Sequence, residues 1–134
     1  MTAPSSIDIV SDYTQALATG DIKRMKSLRS QDFVLDFVHN DASEAGPVDA
    51  EFLETFWPAW MAGFPGYDYE AVRTIAAEAV VVTQWTFTGT QSEALGSPIF
   101  EPEQKPTGRT IRFRGVSVYD IGDGLIQRET LYMD

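Results

Sequence analysis

The stretch RTIRFRGVSVYDIGDGLIQRETLYMD, residues 109 to 134, constrains the fold more than any other part of the chain. Two runs rich in β-branched and aromatic residues flank Gly122-Asp123-Gly124. Such a step between such runs is the signature of a tight hairpin. The spacing therefore predicts antiparallel strands over 109–121 and 125–133. Strand alternation places Leu125, Gln127, Glu129, Leu131 and Met133 on one face, and Ile126, Arg128, Thr130, Tyr132 and Asp134 on the other. Glu129 then stands among apolar neighbours. A carboxylate in that position either is solvated at a sheet edge, paired with Arg114 or Arg128, or faces a pocket.

The rest of the chain divides into helices first and strands later. Ser5 to Ala18 reads as a helix: Ser5 and Asp8 sit at capping-box spacing, and Val10, Tyr13 and Leu17 recur at helical intervals. Gly20 ends it, and Asp21 can cap a short second helix with Ile22, Met25 and Leu28 on one side. Residues 33–39, FVLDFVH, read as a strand. Asp49 to Met61 has a heavy aromatic face of Phe52, Phe56, Trp57 and Trp60 and reads as a helix, with Pro58 expected to kink or divide it. Residues 69–75 and 79–88 are further strands. Between 91 and 108, three prolines and two glycines mark a long loop. This order predicts an α+β domain in which helices cover one face of a curved, largely antiparallel sheet.

A chain of 134 residues suits one domain, 1–134. Without cysteine it has neither disulfides nor a thiolate nucleophile, and its single histidine, His39, argues against a histidine-rich metal site. The net charge of −10 would repel phosphate backbones and anionic lipid, so neither nucleic acid nor a membrane is an expected partner. The opening MTAPSSIDIV lacks the basic and apolar regions of a secretion signal. A cytoplasmic protein is the expectation.

The runs FPGYDYEAVRTIAAEAVVVTQWTFTGT and PTGRTIRFRGVSVYDIGDGLIQRETLYMD resemble the SnoaL-like polyketide cyclases of the nuclear-transport-factor-2-like superfamily. Pro106-Thr107-Gly108-Arg109, Phe113-Arg114-Gly115-Val116 and Asp123-Gly124-Leu125-Ile126 carry most of the resemblance, and ATGD at 18–21 adds to it. It implies a cone-shaped α+β fold enclosing a ligand cavity, commonly a homodimer. It also implies proton transfer on a carbonyl compound without metal or cofactor, by an acidic residue helped by a histidine on the later strands. Glu129 lies in the strand where the acid is wanted. No histidine lies in the later strands, and Thr90-Gln91 stands where relatives often show Thr-His.

Two related chemistries can be set beside the sequence. A ketosteroid-isomerase-like arrangement is matched by Tyr13, but its proton-moving aspartate falls on Phe37, one residue past Asp36, and its oxyanion acid falls near Val116. An epoxide-hydrolase-like Arg-x-Asp pair is absent around Arg109, Arg112 and Arg114. The candidate acid/base residues are thus Glu129, with His39 and Asp36 as possible companions, His39 because an imidazole of pKa about 6.5 suits proton transfer near neutrality. Tyr13, Trp57, Trp60, Trp85, Phe100 and Arg114 are the candidate contacts to a small apolar ligand, with Phe100 expected over the cavity mouth. A non-catalytic binding domain of the same fold is the other reading. The outward Val80, Val82, Val116 and Val118 predict a homodimer through the sheet's outer face.

Overall fold

A computed structural model describes residues 4–38 and 47–133. Helix α1 spans Ser6–Thr19, α2 Ile22–Leu28 and α3 Ala50–Gly63. The strands are β1 Arg29–Val38, β2 Val48–Asp49, β3 Asp68–Ala76, β4 Val80–Thr90, β5 Thr110–Gly122 and β6 Leu125–Met133. They form one curved six-stranded sheet of order β2-β1-β6-β5-β4-β3, antiparallel except between β1 and β6. The α+β class read from the sequence is the observed one. No helix among the described residues is long and apolar enough to cross a membrane.

Local chemistry fixes the helix ends. The Ser5 hydroxyl accepts from the Asp8 amide at 3.3 Å, Asp21 accepts from the Arg24 amide at 3.1 Å, and Asp49 accepts from the Phe52 amide at 2.9 Å. Gly20 closes α1 at φ 73°, a left-handed conformation that glycine adopts without Cβ strain. One side of α1, with Ile9, Val10, Tyr13, Ala16 and Leu17, is buried against the sheet. Helix α3 is not divided at Pro58. The residue is exposed, and so is Glu54, whose carbonyl loses its helical partner to the proline and can turn to water.

Strands alternate between a buried inner face and a more open outer one. In β4, Val81, Thr83, Trp85 and Phe87 point inward, as do Phe33 and Leu35 in β1 and Ser117 and Tyr119 in β5. The β5–β6 hairpin turns through Asp123 and Gly124, with φ 54° and 74°, the pair of positive values a two-residue turn of matching twist requires.

The hairpin departs from simple alternation at one point. Asp120 pairs with Arg128 but Ile121 pairs with Ile126, so Gln127 is an extra residue, a β-bulge in β6. Its side-chain amide donates to the Gly122 carbonyl at 2.6 Å. The bulge reverses the phase of the strand: Ile126 is fully buried on the same side as Glu129 and Leu131. This corrects the expected grouping of Leu125 and Gln127 with Glu129. Counting back from the turn without the bulge would set Glu129 opposite Val118, on the outer face; with it, Glu129 stands opposite Tyr119 on the inner one.

Candidate functional site

Between the inner face and the helices lies a cavity of about 90 Å³. Leu17, Phe37, Phe56, Trp57, Trp60, Phe87, Phe113, Leu131 and Met133 make most of its wall, joined by Tyr69, Trp85 and Glu129. The aromatic surplus of α3 sits here: Phe56 lies 5.1 Å from Trp57 and 6.4 Å from Trp60 between ring centroids, and Trp60 lies 4.6 Å from Phe64. These rings fill much of the space. The cavity is well below the roughly 300 Å³ of a typical small-molecule pocket, so a flat polycyclic ligand would enter only if they parted.

Glu129 is 3% exposed. Oε2 accepts from the Ser117 hydroxyl at 2.8 Å, and Ser117 accepts in turn from the Trp85 indole N–H at 2.9 Å. Oε1 is buried without a well-formed hydrogen bond, and the buried Tyr119 phenol on the facing strand lies beside the carboxyl group, where it favours the charged form. Burial raises the Glu129 carboxyl from 4.5 to about 7; the Ser117 hydroxyl, the nearby Tyr119 phenol and the Arg29 guanidinium pull the other way without overcoming it. Near neutrality the group is present in both forms.

A ring of phenols surrounds it. Tyr13, Tyr69 and Tyr119 all titrate above the ordinary tyrosine value, through burial first and the Glu129 charge second. They therefore stay protonated at any working pH. Tyr13 packs edge-on against Tyr119 at 6.0 Å, and its hydroxyl accepts from Arg29 Nη1 at 3.4 Å. Arg29 is itself 7% exposed.

The sequence candidates separate accordingly. Glu129, Trp57, Trp60 and Trp85 line one cavity. Tyr13 is fully buried behind it. Asp36 is not there: with Phe33, Leu35 and Phe37 inward, alternation turns it to the other face, where Arg128 Nη2 binds its carboxylate at 2.7 Å. Arg114 is also on the outer face, in a groove with Val72, Gln84, Thr86, Val116 and Tyr132. His39 lies outside the described residues.

Phe100 is 44% exposed and is not among the residues of the cavity wall. The long loop is held elsewhere. Gln91 bonds through its side chain to the carbonyls of Glu93 and Lys105 and to the Thr107 hydroxyl, which anchors both ends of the loop. Leu95, 3% exposed, packs where Gly63 lacks a side chain: a Cβ there would lie 2.2 Å from Leu95 Cδ2. Gln91 is thus a buried loop anchor.

Sequence reasoning missed Ser117, Tyr119, Tyr69 and Arg29. For the first two the signal existed, since assigning Val116 and Val118 to the outer face leaves Ser117 and Tyr119 for the inner one. Among the described residues, no three His, Cys, Asp or Glu side chains gather as metal ligands would.

A curved sheet capped by helices, with one carboxyl group set in an apolar cavity, defines a small cavity-forming α+β protein. More specifically, the chain belongs to the SnoaL-like domain family, whose model matches residues 10–129. Among solved structures, it is similar to a candidate SnoaL-like polyketide cyclase from Jannaschia sp. CCS1 (17% identity, TM-score 0.76, 96% of this chain and 84% of that one). Others are IdmH, a candidate polyketide cyclase from Streptomyces antibioticus (20%, 0.75, 96% and 91%), and AclR, a candidate hydroxylase from Streptomyces galilaeus (17%, 0.75, 94% and 86%). At these identities the likeness shows the fold. No curated protein sequence matches the chain.

Proposed function

We propose that this protein is a cofactor-independent enzyme that moves a proton on an apolar carbonyl compound, with Glu129 as the acid/base. The observation that carries the reading is a buried carboxyl group, poised at about 7, in a wall otherwise made of apolar and aromatic side chains. A base of that strength is half ionised near neutrality, and in a water-poor site its carboxylate can take a proton from carbon beside a carbonyl. The developing enolate needs donors. The Tyr119 phenol, opposite Glu129 on the same inner face and held neutral by burial, is one. The same carboxyl group, now protonated, returns the proton to carbon or to an alkoxide, so isomerisation and aldol cyclisation share this apparatus.

The part of the substrate that carries the reacting carbonyl must be slender to enter a cavity of about 90 Å³. The structural similarity to candidate polyketide cyclases supports a carbonyl-rich substrate. A homodimer through the outer face is proposed with it, because Val72 and Ile75 are exposed there at 59% and 52%, beside Val80, Val82, Val116 and Val118. The protein is expected to act in the cytoplasm.

The test is a panel of apolar ketones in D2O, with α-proton exchange followed by NMR for the wild type and for Glu129→Gln. Exchange that disappears in the variant supports the reading. Exchange that survives unchanged refutes it. Tight ketone binding by both proteins with no exchange would instead favour the non-catalytic binding domain, a reading supported by the absence of histidine from the later strands.

A further inference from the structure

Three residues beside the carboxylate have a geometry that an acid/base role alone does not require. Ser117 Oγ offers one proton and two lone pairs. One lone pair accepts the indole N–H of Trp85 at 2.9 Å, and indole can only donate. The hydroxyl proton goes to Glu129 Oε2 at 2.8 Å, and an ionised carboxylate can only accept. The polarity of the whole chain is therefore set by its two ends. A proton placed on Oε2 would meet the Ser117 proton, whereas Oε1 is buried and makes no well-formed hydrogen bond, with the Tyr119 phenol the other donor beside the carboxyl group.

Gly115 makes this reach possible. It stands directly across from Trp85 in the β4–β5 pair. A Cβ there would lie 2.2 Å from Trp85 Cζ2 and 2.6 Å from Cε2, closer than atoms approach. With glycine in place, the indole lies flat over the strand and its N–H extends to Ser117, two residues farther along β5. The stacking of Tyr69 at 5.7 Å and 29° supports the indole from the β3 side. Segment 113–116, conspicuous in the sequence, thus has a physical purpose in its glycine.

We propose that Gly115, Trp85 and Ser117 form a positioning chain that ties down Oε2 of Glu129 and reserves Oε1 for the proton exchanged with substrate. This rests on the acid/base reading of Glu129, but its test does not. Ser117 and Trp85 are positioning residues: they act through the carboxylate. Tyr13 from α1, Arg29 from β1, Tyr69 from β3 and Tyr119 from β5 are the titratable and charged groups that also face Glu129. None of them is altered in the variants below.

The experiment is infrared difference spectroscopy across a pH titration, with the Glu129 carboxyl band assigned by its absence in Glu129→Gln. In the wild type, the carbonyl oxygen of the protonated group is Oε2 and accepts from Ser117, which lowers its stretching frequency. Ser117→Ala should raise that frequency and move the titration midpoint upward by about one pH unit, a tenfold weaker acid, because the bond favours the charged form. Trp85→Phe, which keeps an aromatic ring and removes the N–H, should shift both in the same direction by less. It carries the test if Ser117→Ala does not fold.

An unchanged frequency or an unchanged midpoint in the variants overturns the proposal. The two readings fail separately. Turnover that survives Glu129→Gln defeats the acid/base role and leaves the spectral shifts intact. Unmoved spectra with an inactive Glu129→Gln defeat the positioning chain alone.

Discussion

Replacing Glu129 by glutamine should change how stability depends on pH, in a direction fixed by burial. In the folded protein the carboxyl titrates at about 7 instead of 4.5. The folded state therefore holds its proton over a window where the unfolded chain has released it. Below about pH 4.5 both states are protonated and the group costs nothing. As pH rises through the window the folded state loses stability, and above about 7 both states are ionised and the loss is complete. The displacement corresponds to about 3 kcal/mol, a sizeable share of a small domain's stability. Glutamine is nearly the same size and does not titrate. Urea unfolding of wild type and Glu129→Gln from about pH 4.5 to about pH 8.5 should show the variant gaining on the wild type by about 3 kcal/mol, nearly all of it below about pH 7. Taking the difference between the two proteins cancels the other titrating groups they share. Parallel stability curves at every pH would mean that the carboxyl is solvated, and the reasoning would be wrong.

Leu95→Ala should cost about 2 kcal/mol or more in urea unfolding, because it empties the contact over Gly63. Phe100→Ala should stay within about 0.5 kcal/mol and leave ligand affinity unchanged, since its ring is largely in solvent. Asp36→Asn should cost less than about 1 kcal/mol, because its partner Arg128 is 41% exposed and screened, and it should leave the Glu129 titration where it is. Sedimentation at micromolar concentration should show a dimer that Val82→Asp and Val118→Asp dissociate; a wild-type monomer would remove the outer-face interface.

The caps at Ser5, Gly20 and Asp21 and the Asp123-Gly124 turn were legible because each is a local arrangement of one side chain or one dihedral. The inward position of Glu129 was legible only through its apolar neighbours, and for a partly mistaken reason. The bulge at Gln127 brings Ile126, not Leu125 or Gln127, to its side. No residue type announces that bulge, yet it decides which strand face the carboxylate shares with Tyr119. Asp36 attracted attention as the acid one residue from the ketosteroid-isomerase-like aspartate position, although the alternation of Phe33, Leu35 and Phe37 already turned it outward. Phe100 was assigned from its apolarity, while the loop is anchored by Leu95 and by a buried polar residue, Gln91. Arg29 could not be read at all, because its place beside Tyr13 arises from the packing of α1 on the sheet.

The most direct test of the acid/base assignment is the pH profile of α-proton exchange into an apolar ketone that the protein accepts. A base titrating at about 7 predicts a rate that rises tenfold per pH unit below that value and levels off above it, with no such rise in Glu129→Gln. A rate independent of pH from about 5 to about 9, or the same profile in the variant, would contradict the assignment of Glu129 as the group that moves the proton.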